Sequence, residues 1–576
     1  MNILAHLLLT TLLSTTALAS PSSNNTTTHY PALTSPLGPV INLGYAAYAG
    51  NTTTPTGEAN GTVAFFGGIP YAQPPVGELR FRAPQPLDET PASDGKPQVV
   101  DARNFGPACL QQPAVVGVGS EDCLLLNVWK PSNASEGDNL PVVGGGFYAG
   151  TTQGFPLYPW VTQDQQIVGV SMGYRLSVPG FLATPSLLAS GDGNAGLRDQ
   201  RAALDWVQRN IRSFGGDPQN VAIAGESAGG ASVVMQIAAY GGQREVPFRR
   251  GTGQSIGFGP MMNDTQNAEL FANITQWAGC PSSPESTALA CLRTASLGAL
   301  VSAINHTPLG AVSPTVDAAA GADAFLPDRP SRLIAQGKFA SVGFTGGHCS
   351  NDGRTFVGGA PEDLQTEEEV ASVPFKRWPG VTNETIQEAL ALYPPPSNAS
   401  GAEFSSEYDR ASIMAGDVIF TCMDWFLAEQ MMRKGVQDVY AFQWNAPDPV
   451  LLKAAPYEGT MHTSDIYFLF EGTSADNAGF TFTPFNSTEL ALSQTAIAYW
   501  TSFASTGSPS TLRLPGSPEW LAFAPGYGRM VLTEATTATA NATGAGTASA
   551  WEAFGDAHVE RCLFWMREDV TAQTAV

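Results

Sequence analysis

Gly225-Glu226-Ser227-Ala228-Gly229 flanks a serine with glycines two residues to either side, directly after the apolar run Val221-Ala222-Ile223-Ala224. Ser232 to Ala239 (SVVMQIAA) follows as helix-forming material. A strand that turns sharply into a helix forces the residue at the bend into a strained conformation, and flanking glycines remove side chains that would collide there. Such a bend lifts the Ser227 hydroxyl out of the sheet and points the free N–H groups of the next helix at it. The chemistry this implies is nucleophilic attack with negative charge developing close by. G-x-S-x-G alone recurs by chance; the strand before it and the helix after it give it weight.

A serine alcohol is a weak nucleophile, so a histidine base and an orienting carboxylate must accompany it. Behind such a bend the chain order is serine, acid, histidine. The histidines after Ser227 are His306, His348, His462 and His558. His306 lies in the glycosylation sequon Asn305-His306-Thr307 and reads as exposed; His348 precedes any favoured acid; His558 lies in the tail beside Cys562. His462, in the polar turn Gly459-Thr460-Met461-His462-Thr463-Ser464-Asp465 before the apolar Ile466 to Phe470, is the preferred base.

The elements that must position these groups alternate. Gln166 to Ser171 (QIVGVS) and Val221 to Ala224 read as short buried strands. Between them Asp199 to Phe214 carries Ala203, Leu204, Val207 and Ile211 at helical spacing, and Gly215-Gly216-Asp217-Pro218 stops it. Strand, helix, strand predicts a parallel sheet with a right-handed crossover. No repeat of about 20–50 residues is visible, which excludes solenoids and propellers. Thr533 to Ala550 is low-complexity Thr/Ala/Gly sequence and reads as a disordered, O-glycosylated surface loop. No earlier linker divides the chain, so residues 20–576 are expected to form one large domain.

The chain has 576 residues, 43% of them hydrophobic, with 28 Lys+Arg against 51 Asp+Glu and a net charge of −23. That hydrophobic content suffices for a large core, and the charge disfavours nucleic acid and anionic membrane surfaces. Leu7 to Leu13 is a short apolar run followed by Ala17-Leu18-Ala19, the pattern of a signal peptide over residues 1–19 with cleavage after Ala19. It falls short of the roughly 20 apolar residues of a membrane anchor. Sequons start at Asn24, Asn25, Asn51, Asn60, Asn133, Asn263, Asn273, Asn305, Asn383, Asn398, Asn486 and Asn541, a density that suits a secreted glycoprotein. No cysteine or histidine spacing fits zinc. In an oxidising compartment cysteines pair: Cys109/Cys123 and Cys280/Cys291 would close short loops, Cys422/Cys562 would tie the tail to the body, and Cys349 is left over.

At this point the chain resembles a known family, the type-B carboxylesterase/lipases of the α/β-hydrolase fold, which includes cholinesterases and fungal esterases and lipases. The likeness runs from about Gly57 to the tail. It rests on Phe66-Gly67-Gly68-Ile69-Pro70-Tyr71-Ala72, Pro74-Pro75-Val76-Gly77 with Leu79-Arg80-Phe81, and Ser120-Glu121-Asp122-Cys123-Leu124. Tyr174-Arg175-Leu176, Gly196-Leu197-Arg198-Asp199-Gln200 and Phe214-Gly215-Gly216-Asp217-Pro218 then lead into the Ser227 bend. The resemblance implies an α/β fold with a large, mostly parallel central sheet and helices on both faces, acting as a serine carboxylic-ester hydrolase without metal or cofactor. Its nucleophile falls on Ser227 and its base on His462. Its acid falls on Asp352, in Gly347-His348-Cys349-Ser350-Asn351-Asp352-Gly353, where relatives usually carry Glu. Aspartate is one methylene shorter, so either the backbone sits closer to His462 or the triad is slightly loose. The oxyanion hole falls on Gly145 and Gly146 of Gly144-Gly145-Gly146-Phe147, with Ala228. The same likeness supports the three cysteine pairs and makes Arg80 and Glu121 a structural ion pair.

One departure stands out. The family has an apolar strand of about seven residues before these glycines, whereas this chain has only Pro141-Val142-Val143. Losing about four residues would weaken the central ladder and displace Gly145 and Gly146. The loop closed by Cys109 and Cys123 encloses only 13 residues, too few for a lid helix, with no Trp, Tyr or Phe to hold a quaternary ammonium. Soluble small-molecule esters are therefore the expected substrates. The alternatives are a lipase and, should the strand be truly short, a non-catalytic binding protein on the same fold. Gly251-Thr252-Gly253 has no third glycine at dinucleotide-binding spacing.

Overall fold

Alternate side chains of a strand face opposite sides of its sheet, and Val439–Trp444 shows what this achieves here. Val439 and Ala441 join one buried apolar cluster, while Tyr440, Phe442 and Trp444 join another. The sheet thus separates two cores, each requiring a layer of helices. The computed structural model describes residues 30–52, 61–134, 138–145, 150–397, 403–470, 472–476, 479–524, 526–535 and 546–576. The expected leader over 1–19, the sequons at Asn24, Asn25, Asn60, Asn398 and Asn541, and the middle of the Thr/Ala/Gly stretch lie outside them.

Ten strands form the main sheet: β1 (Val63–Pro70), β2 (Leu125–Pro131), β3 (Asp138–Gly145), β4 (Gly169–Met172), β5 (Gly216–Glu226), β6 (Arg250–Gln254), β7 (Gly343–Cys349), β8 (Val439–Trp444), β9 (Gly528–Leu532) and β10 (Ala550–Ala553). Their spatial order is β10-β9-β8-β7-β6-β5-β3-β4-β2-β1. The run from β9 through β4 is parallel, and β10, β2 and β1 pair antiparallel at the two edges. This is the expected α/β architecture. Helices α1 (Ala195–Asn210) and α2 (Ala228–Ala238) pack Leu204, Val207, Val234 and Ile237 into one core. A long helix near the C-terminal end, Ser487–Thr506, packs Ile497, Tyr499, Trp500 and Phe503 into the other.

Local detail departs from the sequence reading in ways that can be traced. The helix expected over 199–214 starts at Ala195 and ends at Asn210; Ile211–Phe214 tightens into a 3-10 turn, and Gly215 at φ 92° ends it. The strands expected at 166–171 and 221–224 do run parallel, but β3 lies between them.

The shortened strand is where expectation and structure differ most. β3 has eight residues, because Asp138, Asn139 and Leu140 from the upstream segment enter the ladder. Leu140 pairs with Val221 and the register runs on to Gly144 beside Gly225 and Gly145 beside Glu226. The glycines therefore reach the level of the Ser227 bend. The weakening falls on the other side: against β4 only Val142 and Val143 are paired. Gly146 lies outside the described residues.

Several segments quoted for the family likeness meet as pairs. Arg80 grips Glu121 through two hydrogen bonds of 2.6 and 2.7 Å and caps the carbonyls of Leu292 and Ala295. Arg175 grips Asp199 in the same bidentate way, both buried. The disulfides are Cys109–Cys123, Cys280–Cys291 and Cys422–Cys562, and Cys349 is free and buried.

Candidate active site

β5, β6 and β7 are neighbours, and ligands of parallel α/β sheets sit beyond the carboxyl ends of the strands. β5 ends at Glu226, so Ser227 is the bend, held at φ 58° and ψ −120°, and α2 begins at the next residue. A residue other than glycine at positive φ is strained. Two main-chain hydrogen bonds hold it there: Ser227 N–H donates to the Gln254 carbonyl at 2.9 Å, and Gly257 N–H donates to the Ser227 carbonyl at 3.1 Å. Gly230 permits the close approach, since a Cβ there would stand 2.7 Å from the Gln254 carbonyl oxygen.

Asp352 follows the end of β7 in a one-turn 3-10 helix, Asp352–Thr355. Gly353 presses against helix α3 (Glu407–Gly416): a Cβ on Gly353 would stand 1.9 Å from the Ser412 carbonyl oxygen. Asn351 exchanges hydrogen bonds with Thr460, its N–H to the Thr460 carbonyl at 3.0 Å and its Oδ1 from Thr460 N–H at 3.1 Å. The turn of Asp352 and the turn of His462 are thus stitched together independently of any bond between those two side chains.

His462 Nε2 lies 2.8 Å from Ser227 Oγ, and His462 Nδ1 lies 2.8 Å from Asp352 Oδ1. Asp352 Oδ2 accepts from Ser255 Oγ at 2.9 Å and from Cys349 N–H at 2.8 Å. The aspartate thus reaches hydrogen-bond distance of the imidazole. Phe356 and Phe420 flank the imidazole, with ring centroids 5.1 and 4.7 Å from it. Phe420 belongs to a π-helical turn, Asp417–Thr421, a distortion common at functional sites. The other histidines lie elsewhere: His348 pairs with Asp424 at 2.9 Å, His558 stacks on His348, and His306 is exposed at a helix end.

Around this histidine the field is strongly negative. Glu226 Oε1 stands 3.3 Å from His462 Nε2. Burial pushes the Glu226 carboxyl up to about 8, against the pull of His462. Burial would lower His462, but Glu226, Asp352 and Asp465 outweigh it and raise the imidazole to about 9. The two groups lie in contact, so the charge state of each depends on the other's. Were this imidazole the base for Ser227, it would have to be neutral, and activity would rise with pH. Glu226→Gln removes the strongest of the charges that favour the imidazolium. The acid limb of kcat/KM is therefore expected to move to lower pH in that variant, which a pH–rate profile on a soluble ester checks.

Beside Glu226 a cavity of about 70 Å³ is lined by Ile466, Phe155, Asn127 and the Cys109–Cys123 disulfide, among others. Asn127 commits its amide to Thr152 Oγ1, Ser171 Oγ and Gly68 N–H, and Glu226 is the acidic side chain among the described lining residues. The backbone N–H of Ala228, in the first turn of α2, belongs to the set that has no intrahelical partner. Gly145 closes β3 next to Glu226. The sequence reading did not single out Ser255 or Gln254, which have no motif of their own, nor Glu226 as a neighbour of the imidazole, nor Cys349 beside Asp352 and Asp465. Asp465 was visible only as the end of the histidine pattern.

The chain matches the carboxylesterase family model over residues 38–551. It is 33% identical over 498 residues to a secreted lipase of Arthroderma benhamiae, covering 81% of this chain and 84% of that one. It is 31% identical over 478 residues to Lipase 1 of Geotrichum candidum, covering 72% and 81%. The crystal structure of Aspergillus niger EstA superposes with a TM-score of 0.78 at 28% identity, over 94% of this chain and 99% of that one. The chain belongs to the carboxylesterase family and is a carboxylic-ester hydrolase.

Proposed function

We propose that this ester hydrolase is secreted and works on soluble esters through a Ser227–His462–Asp352 triad and an acyl-enzyme. The 2.8 Å contact of His462 Nε2 with Ser227 Oγ carries this reading. His462 Nε2 takes the hydroxyl proton as Oγ bonds to the ester carbonyl carbon. The oxyanion so formed is held by N–H groups of Gly145, Gly146 and Ala228. Its collapse breaks the bond to the alkoxy oxygen, which leaves as alcohol with the proton from His462. Water then attacks the acyl carbon, His462 again takes and returns the proton, and the acid departs while Asp352 steadies the imidazolium. Three disulfides suit an oxidising compartment.

The substrate class rests on the loop between Cys109 and Cys123. It contains no helix; it is a small turn with Val115 bridged to Val118. Gln112 ties it to the carbonyls of Ile304 and Thr307, and Ala114 exchanges two 2.7 Å hydrogen bonds with Asn305. One observation favours a lipase instead: Val115, Val116 and Val118 are 56%, 61% and 62% exposed on that turn, and the relatives named above include lipases. Rate against ester concentration separates the two. Simple saturation is expected through the solubility limit of a p-nitrophenyl ester; a jump in rate above that limit would make the chain a lipase.

A further inference from the structure

Two consecutive residues bind two members of the proposed triad, and one of them also binds the loop that carries the third. Gln254 is the last residue of β6, between the strands that lead to Ser227 and Asp352. Its carbonyl accepts the Ser227 N–H at 2.9 Å. Its side-chain amide donates to Asp465 Oδ2 at 2.6 Å, and its Oε1 accepts from Trp500 Nε1 at 3.0 Å. Ser255 then grips Asp352 and anchors its own N–H on the Gly347 carbonyl at 2.6 Å.

Asp465 is the part of this mount that belongs to the histidine's own loop. It stands three residues after His462, in the first turn of the short helix Ser464–Leu469. Between them Thr463 sits at φ 72°, a conformation costly for a β-branched residue and maintained only if both sides are fixed. All of Gln254, Asp465 and Trp500 are buried. A hydrogen bond to a buried carboxylate is among the stronger ones, and its loss leaves a charge unpartnered.

We infer that Gln254 is a positioning residue for ester hydrolysis: through Asp465 it sets His462 in register with Ser227, whose bend the same residue holds by its main chain. The inference rests on the triad reading above. Asp465 is faced by the Gln254 amide from β6, the Cys349 thiol at 3.9 Å and Asp352 from β7 and its turn, and by His462 on its own loop; Glu226 from β5 adds its charge. Burial pushes Asp465 up to about 6 and the Gln254 hydrogen bond pulls it down. Without that bond Asp465 takes up a proton more readily, and one negative charge that supports the imidazolium is lost.

The test uses the full-length protein with Gln254→Met and Gln254→Glu, a soluble p-nitrophenyl ester and a fluorophosphonate label for Ser227. Gln254→Met is expected to lower kcat about ten- to a hundredfold with KM nearly unchanged, and to move the acid limb of the profile to lower pH. Gln254→Glu is expected to lose more at neutral pH, where two carboxylates face each other. Its rate relative to the parent should then recover in acid, where the new carboxyl carries a proton to donate to Asp465. Asp465→Asn combined with Gln254→Met should cost much less than the product of the single losses. Additive losses, or variants whose activity tracks thermal stability with an unmoved pH limb, would overturn the positioning role while Ser227 still labels. A parent protein that neither turns over ester nor labels at Ser227 would instead overturn the triad itself.

Discussion

Replacing Ser227 by alanine is expected to lower kcat on a short-chain p-nitrophenyl ester about a million-fold, towards the small residue that binding and oxyanion donors sustain. The hydroxyl is the atom His462 Nε2 faces at 2.8 Å, and alanine offers nothing for it to activate. The bend itself should survive, because both hydrogen bonds that hold it are made by the main chain of residue 227. The melting temperature is thus expected to stay close to that of the parent. Initial rates together with circular dichroism give the check. A folded variant that keeps more than a few per cent of the activity would remove Ser227 from the mechanism.

Asp352→Asn should be the second most damaging change, with a loss of about ten-thousandfold in kcat. The reason lies in what surrounds the carboxylate. One oxygen faces His462 Nδ1 and the other receives the Cys349 N–H and the Ser255 hydroxyl. An amide can satisfy the Cys349 N–H only with its oxygen, which turns its NH2 towards His462 Nδ1. Nδ1 must then accept, the imidazole proton moves to Nε2, and the nitrogen that faces Ser227 can no longer take a proton. Measured kcat with unchanged far-ultraviolet circular dichroism tests this. A loss below about tenfold would show that Asp352 neither orients nor charges the imidazole.

Much of this site is legible in the amino-acid sequence. The Ser227 bend announces itself because a strand, a tight turn and a helix are contiguous in the chain and their constraints are local. The family segments hold for the same reason: Arg80 with Glu121 and Arg175 with Asp199 come from short, recognisable runs. The helix over 199–214 is legible as a periodic pattern, though its ends are not, since Ala195 to Arg198 owe their helicity to packing rather than to apolar spacing. The strand before Gly144 misleads, because counting Pro141-Val142-Val143 ignores that polar upstream residues can complete a ladder once β5 offers one.

The amino-acid sequence by itself offered the chemistry: a serine on a tight bend, a histidine in a polar turn far downstream, and the cysteines available to cross-link. Those are properties of residue type and short-range spacing; the acid came only from the family resemblance. Only the tertiary structure decided that Asp352 comes within 2.8 Å of His462. Asn351 with Thr460 ties the two turns together. It also decided that Gln254, Asp465 and Trp500 meet, and that Glu226 stands 3.3 Å from His462 Nε2. Such contacts join residues more than a hundred positions apart, so no local pattern encodes them; they exist because three parallel strands end side by side.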